Sequence, residues 1–330
     1  MSENTVYSPD ANDALLLLAN VYKTFPVRAS FFSAEEVRVR AVDGVSLSLQ
    51  PGKTLGLVGE SGCGKSTLGR LAIRLLDPDS GTIQFEGKNV TQLTGEELRV
   101  MRRRMQIIFQ DPYSSLNPRM KVQDIVGEGW FVHGLARGRE LREKAALLLE
   151  RVGLTAEAGG KYPHEFSGGQ RQRIGIARAI ALSPKLVVAD EPVSALDVSV
   201  QAQILNLLRD LQEEYGMAYL FVSHDLRVIR HVSDHVAVMY LGKVMELGPS
   251  EELFRRPLHP YTRSLLSAAP MLGSAPKEHI VLSGDIPSPI APPPGCRFHT
   301  RCFMARKTCS ELSPLLRETA PGRFVACHFV

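Results

Sequence analysis

The chain has 330 residues, room for one large or two modest domains, and its 44% hydrophobic content is ordinary for a globular protein. Its 39 basic and 35 acidic residues leave a net charge of +4, which argues for neither nucleic acid nor an anionic membrane. No apolar run approaches the ~20 residues that span a bilayer, and the apolar stretch 15–18 is too short and lacks the basic flank of a secretion signal. The expectation is a cytoplasmic protein that reaches a membrane only through a partner.

In chain order, residues 15–21 and 41–49 have strand character and suggest a small antiparallel β region, with residues 26–40 between them and Phe31 and Phe32 near the middle. Phe25 is either a core aromatic or a platform for an adenine ring. Residues 54–58 read as a short buried strand. It runs into Gly59-Glu60-Ser61-Gly62-Cys63-Gly64-Lys65-Ser66-Thr67, which fits the phosphate-loop pattern G-x-x-x-x-G-K-[ST]. Glycines let backbone N–H groups curl around an anion, Lys65 can reach the outer phosphates, and the Ser66 hydroxyl can help hold Mg²⁺. A helix is predicted over 66–76, its N-terminus aimed at the phosphates.

Residues 81–86 alternate like an edge strand, and 96–104 form a basic helix whose Arg102-Arg103-Arg104 reads as a solvated face or an anion patch. Residues 106–110 are a buried strand ending in Gln110, which could sense Mg²⁺ or the attacking water, or simply end the strand. Residues 111–165 look like a helical insertion around one strong helix at 140–152. Phe166-Ser167-Gly168-Gly169-Gln170 then opens a helix over 171–181, either a second anion-binding terminus or a loop-to-helix junction.

Residues 186–191 are a buried strand ending in Asp190-Glu191. Two adjacent acids there call for a cation: an acid after such a strand holds Mg²⁺ in phosphate-loop ATPases, and the next can polarise water. Ser194-Ala195-Leu196-Asp197 follows, then an amphipathic helix over 200–215 stopped by Gly216. Residues 218–225 are a third buried strand, its terminal His224 either a γ-phosphate partner or structural. Residues 236–239 and 243–247 form a hairpin through Leu241-Gly242. Strands alternating with helices imply an α/β fold with a mostly parallel sheet and a site at the strands' C-terminal ends.

Past Pro249, the prolines at 257, 260, 270, 276, 287, 289 and 292–294 break helical periodicity and suggest a separate tail that does not continue the sheet. Cys296, Cys302, Cys309 and Cys327 fall here, spaced C-x5-C-x6-C-x17-C. In a reducing compartment such a group suggests metal ligands over disulfides. Structural zinc favours tighter pairs and wider-spaced thiolates can hold an iron–sulfur cluster, with a group that binds no metal as the third reading.

The ordered set of 59–66, Gln110, 166–170, Asp190-Glu191, 194–197 and His224 resembles the nucleotide-binding subunit of ABC transporters. Phe166 departs from the family's usual leucine by an apolar swap. Residues 110–118, 162–165, 259–262, 292–296 and 327–329 are similar to the dipeptide and oligopeptide importer branch, over nearly the whole chain. The resemblance implies an ABC-type P-loop NTPase core over 1–250, with an antiparallel β subdomain and a helical subdomain at about 111–182. A Cys-rich C-terminal region over 251–330 follows.

It also implies an ATPase powering peptide import, working as a head-to-tail pair. Phe25 would stack on adenine, and Gly59, Ser61, Gly62, Cys63, Gly64, Lys65, Ser66 and Thr67 would hold ATP. Ser66, Gln110 and Asp190 would hold Mg²⁺, and Glu191, with His224 and Gln110, would serve hydrolysis. Ser167, Gly168, Gly169 and Gln170 would serve the partner's ATP, and Asp197 the dimer seam. The four tail cysteines would hold a [4Fe–4S] cluster, with Zn²⁺ the alternative. Implied partners are a paralogous ATPase, two membrane permeases and an extracytoplasmic solute-binding protein, at the cytoplasmic face of a bacterial inner membrane, with no nucleic acid. Other cargo (nickel, glycosides, antimicrobial peptides) or a soluble ABC ATPase remain alternatives.

Overall fold

The computed structural model describes Tyr7 and residues 13–28, 36–268, 280, 282 and 284–330. Phe31, Phe32, Pro270 and Pro276 lie outside the described residues. In chain order the strands are β1 (Leu16–Arg28), β2 (Glu36–Leu49), β3 (Thr54–Val58), β4 (Ser80–Phe85), β5 (Lys88–Asn89) and β6 (Met105–Ile108). They continue with β7 (Leu186–Asp190), β8 (Ala218–Val222), β9 (His235–Tyr240), β10 (Lys243–Pro249), β11 (Arg317–Ala320) and β12 (Arg323–Val325). Two compact units emerge, one of residues 1–50, 54–92 and 222–330, the other of 51–53 and 93–221.

In the first unit, β2-β1-β4-β5 form an antiparallel sheet, with Leu16 opposite Leu49 on one side and Phe85 on the other. The expected edge strand at 81–86 is therefore corrected: the two-residue strand β5 covers the outer side of β4. Strands β1 and β2 run longer than the local pattern suggests, since pairing with each other extends them to Arg28 and back from Glu36.

The central strands of this unit run β11-β12-β10-β9-β3. Strand β3 lies parallel to β9, and all five of its residues are buried, the unbroken apolar reading expected of a strand covered on both faces. Strands β9 and β10 form the predicted hairpin, and Leu241 and Gly242 both take positive φ (44° and 79°), as a tight two-residue turn requires.

The chain beyond Pro249 corrects the expectation of a tail apart from the sheet. Strand β12 pairs antiparallel with β10, Glu246 opposite Val325, and β11 adds outside it. The lock is Glu246, which is fully buried. Its carboxylate accepts from the Leu258 and His259 backbone N–H groups at 3.0 and 2.8 Å and from Arg323 at 2.9 Å. Local proline content does not reveal this, because the pairing joins residues about 80 positions apart. Removing one partner of such a buried ion pair costs about 3–5 kcal/mol.

In the second unit, β8, β7 and β6 are neighbours, and β6 and β7 are parallel with Met105 opposite Leu186. Strands β7 and β8 are wholly buried. Helices Val122–Val132 and Gly138–Arg151 pack so closely that a Cβ on Gly127 would sit 2.4 Å from Leu141 Cδ2. Leu141, Ala145 and Leu149 form the buried stripe of the second helix. Among the described residues, no helix is long and apolar enough to cross a membrane.

Candidate functional site

The phosphate loop lies in the first unit, between β3 and the helix Lys65–Ala72. That helix is shorter than predicted, because the chain turns at Arg74, whose φ is 55° and whose guanidinium bonds to the Val90 carbonyl and to Asp77. Two glycines are there for space. A Cβ on Gly59 would lie 2.1 Å from the Met239 carbonyl oxygen, and one on Gly64 would lie 2.0 Å from that of Ala41. Gly62, at φ 78°, meets nothing within 4 Å and faces open space.

The loop is stitched down by Gly242 N–H donating to the Cys63 carbonyl at 2.9 Å. Gly64 caps the helix without any side-chain hydrogen bond, so the first-turn N–H groups have no side-chain cap. Buried Lys65 donates from Nζ to the Gly59 and Glu60 carbonyls at 2.7 and 3.0 Å, with Cys63 Sγ at 3.9 Å. Burial raises the Cys63 thiol pKa, with Lys65 opposing. Ser61 is exposed, and Ser66 and Thr67 are half-buried.

Also in this unit, Phe25 sits on β1 opposite Val39, half-buried, with Lys23 Nζ 5.7 Å from its ring centroid. Exposed His224 follows β8. It lies between Ser223, whose N–H donates to the Leu57 carbonyl at 3.1 Å, and Asp225, which caps the helix Leu226–Val232.

The second unit gathers the remaining motif residues. Asp190 is buried at the end of β7, and Glu191 beyond it is held at φ 47°, an unusual backbone state for a non-glycine residue and one that concentrates at functional positions. Gln110 Nε2 donates to Glu191 Oε2 at 2.8 Å, so two residues 81 apart in sequence meet.

The helix Gly168–Ile180 opens with a reciprocal box. Gln170 N–H donates to Ser167 Oγ at 3.4 Å, and Ser167 N–H donates to Gln170 Oε1 at 3.0 Å. Gly169 is small because a Cβ would come 2.6 Å from Val200 Cγ1. Asp197 caps the helix Val198–Tyr215, accepting from Val200 N–H at 2.9 Å, and Gly216 ends it in the left-handed conformation.

Cys296, Cys302, Cys309 and Cys327 line one small cavity in the first unit, with His259, His299, Met304 and His328 on its wall. Burial pushes the Cys296 thiol up to about 11, and the other three thiols add to the shift. Among the described residues, no group of three or more His, Cys, Asp or Glu is arranged to hold a metal ion.

Sequence reasoning missed the surroundings of Glu60. Arg301 donates to both of its carboxylate oxygens at 2.8 and 3.1 Å, and its backbone N–H donates to Tyr261 Oη at 3.0 Å. Glu60 occupies a free position of the phosphate-loop pattern, so the motif carries no signal for these contacts.

A family model described as "ABC transporter" matches residues 42–194, and another described as "Oligopeptide/dipeptide transporter, C-terminal region" matches residues 245–309. The chain is 55% identical over 320 residues to the oligopeptide transport ATP-binding protein AppF of Bacillus subtilis, covering 96% of this chain and 97% of that one. It is 49% identical to the dipeptide transport ATP-binding protein DppF of Haemophilus influenzae, over 97% of this chain and 98% of that one. Among solved structures, the ATP-binding cassette MJ0796, a dimer in a post-hydrolysis state bound to ADP and Pi, aligns with a TM-score of 0.64 and 29% identity. That alignment covers 71% of this chain and 98% of that one. The chain therefore belongs to the ABC transporter family, as an ATP-hydrolysing, ATP-binding subunit of its oligopeptide/dipeptide branch.

Proposed function

We infer that this subunit powers uptake of di- or oligopeptides through a membrane ABC importer. The observation that carries the reading is the phosphate loop: its backbone is packed too tightly for a Cβ at Gly59 and Gly64, open at Gly62, and spanned by Lys65. This is a cradle built for a polyphosphate. Lys65 would exchange the loop carbonyls for outer phosphates, with Gly59, Ser61, Gly62, Cys63, Gly64 and Thr67 forming the cradle and Phe25 the adenine platform. Ser66, Asp190 and Gln110 are each assigned to Mg²⁺, which supplies charge neutralisation when bound. Glu191 takes the role of general base, kept in orientation by the Gln110 amide. His224 would contact the γ-phosphate. Ser167, Gly168, Gly169 and Gln170 would serve ATP held by a second subunit, and Asp197 would lie at that seam.

Residues 1–250 would act as the nucleotide-binding domain, with the helical part at about 111–182, and 251–330 as the branch-specific region. The working complex would pair this chain with a paralogous ATPase, two permeases and an extracytoplasmic solute-binding protein at the inner membrane. The relatives' names support peptide cargo. For the four cysteines we favour [4Fe–4S], a group that would staple a small proline-rich core, with zinc as the alternative. Iron and sulfide assays on anaerobically purified protein decide: zinc in place of iron, or no metal, overturns the cluster.

The functional test is peptide-dependent ATP hydrolysis by the complex reconstituted in vesicles. Glu191→Gln should lower turnover by about 10²–10⁴-fold while ATP binding persists. Unchanged turnover would remove Glu191 from the chemistry.

A further inference from the structure

The phosphate loop, the proposed cradle for a polyanion, carries a carboxylate of its own at Glu60. Unpaired, it would repel the substrate. In this molecule it is paired by Arg301, whose fork meets both oxygens at 2.8 and 3.1 Å, the bidentate geometry that makes such pairs strong. Arg301 is itself buried, its side chain 7% exposed, against 21% for that of Glu60. Its guanidinium also reaches Tyr240 Oη at 3.4 Å.

The backbone of Glu60 is held as well. Its N–H donates to the hydroxyl of Tyr261, a ring with no exposed surface, and its carbonyl accepts from Lys65 Nζ. Tyr261 belongs to a packed group with Tyr240 and Phe298, at centroid distances of 4.7 and 5.2 Å. Its own N–H donates to His259 Nδ1 at 3.0 Å, and the His259 backbone is tied to buried Glu246. The Arg301 and Tyr261 contacts to Glu60 therefore both come from beyond Pro249, and that of Tyr261 connects through His259 to the buried Glu246 lock.

We propose that Arg301 and Tyr261 are positioning residues for ATP, acting through Glu60: Arg301 neutralises the loop's carboxylate and Tyr261 fixes its backbone before nucleotide arrives. The proposal rests on the phosphate loop being the ATP site and not on what fills the thiol cavity. A preformed, neutralised cradle lowers the cost of binding a polyanion. The role falls mainly on affinity and little on the chemical step.

The test is an ATP titration of steady-state hydrolysis by the reconstituted complex, with thermal melting of each variant. Arg301→Ala should raise the KM for ATP about tenfold, with kcat within about twofold, the size expected for losing a charged hydrogen bond and leaving its partner unpaired. Arg301→Lys, which keeps charge but loses the fork, should fall between. Adding Glu60→Gln to Arg301→Ala should recover most of the affinity, since the repelling carboxylate is gone. Tyr261→Phe should raise KM about threefold, as for one neutral hydrogen bond. If Arg301→Ala fails to fold, the Lys and Phe variants carry the same reading. An unmoved KM overturns the proposal, as does a loss confined to kcat or a double variant no better than Arg301→Ala. Lys65→Ala is the control: if it leaves hydrolysis intact, the ATP reading itself fails, independently of Arg301.

Discussion

The helices Lys65–Ala72 and Gly168–Ile180 both begin in glycine-rich turns, yet they solve the same electrostatic problem in opposite ways. The first has Gly64 at its N-cap, at φ 104°, a residue that supplies no side-chain cap. The second is closed on itself by Ser167 and Gln170, each accepting the other's N–H. An uncapped first turn leaves N–H donors for a ligand, whereas a capping box has already satisfied two of them. A phosphate can therefore be the cap of the first helix, but at the second it must add to a cap already present. The difference agrees with the proposed division, in which the loop holds this subunit's nucleotide and the tip serves a neighbour's.

The strongest challenge to this contrast is at the first helix. Lys65→Ala should lower ATP turnover by on the order of 10²–10³-fold, comparable to removing a preorganised charge donor, measured as phosphate release by the reconstituted complex. Gly64→Ala should be equally damaging for a different reason. Its Cβ would collide with the Ala41 carbonyl in a backbone state that disfavours alanine, so both nucleotide binding and melting temperature should fall. If Gly64→Ala bound ATP normally, the cradle would not depend on that close approach.

At the second helix the expected effect is smaller and depends on assembly. Ser167→Ala removes an N-cap worth about 1 kcal/mol, which should appear as a small drop in melting temperature. ATP affinity of the isolated subunit should stay unchanged, because the tip is assigned to the neighbour's nucleotide, while hydrolysis by the assembled complex falls. Equal losses in both preparations would erase the distinction between the two helix starts.

Much of this contrast was legible in the sequence. The phosphate loop, the strand β3 and the start at Ser167 follow local rules: a glycine-rich phosphate-loop pattern, a buried apolar run, and a serine opening a helix. The Gln110 and Glu191 pairing was not, because it joins two strand ends 81 residues apart. Nor was the joining of β12 to β10, where a proline-rich tail looks detached until Glu246 and Arg323 are seen together in the core. Glu60 is the sharpest case. A motif defines the glycines and the lysine by what they do to phosphate, and it is silent on a side chain whose partner, Arg301, lies 241 residues away.

The smallest effect belongs to a third helix start, beside His224. Asp225 accepts from Arg227 N–H at 2.8 Å, and its side-chain bond to the Arg227 guanidinium holds the carboxyl below its usual range, with partial burial opposing. A depressed folded pKa means the unfolded chain binds the proton more readily. The contribution is thus present above the ordinary aspartate range and is lost as pH falls through the lower, folded value. The pair is partly exposed and screened by solvent, so the pH term is modest. Asp225→Ala should cost about 1 kcal/mol, as for a lost N-cap, whereas Asp225→Asn, which keeps the acceptor, should cost only a few tenths near neutral pH. The asparagine variant should then lose less stability than the parent as pH drops below about 4, since it has no carboxylate to protonate. Parallel acid denaturation curves for the two proteins would show that the cap at Asp225 works through its oxygen alone and not through its charge.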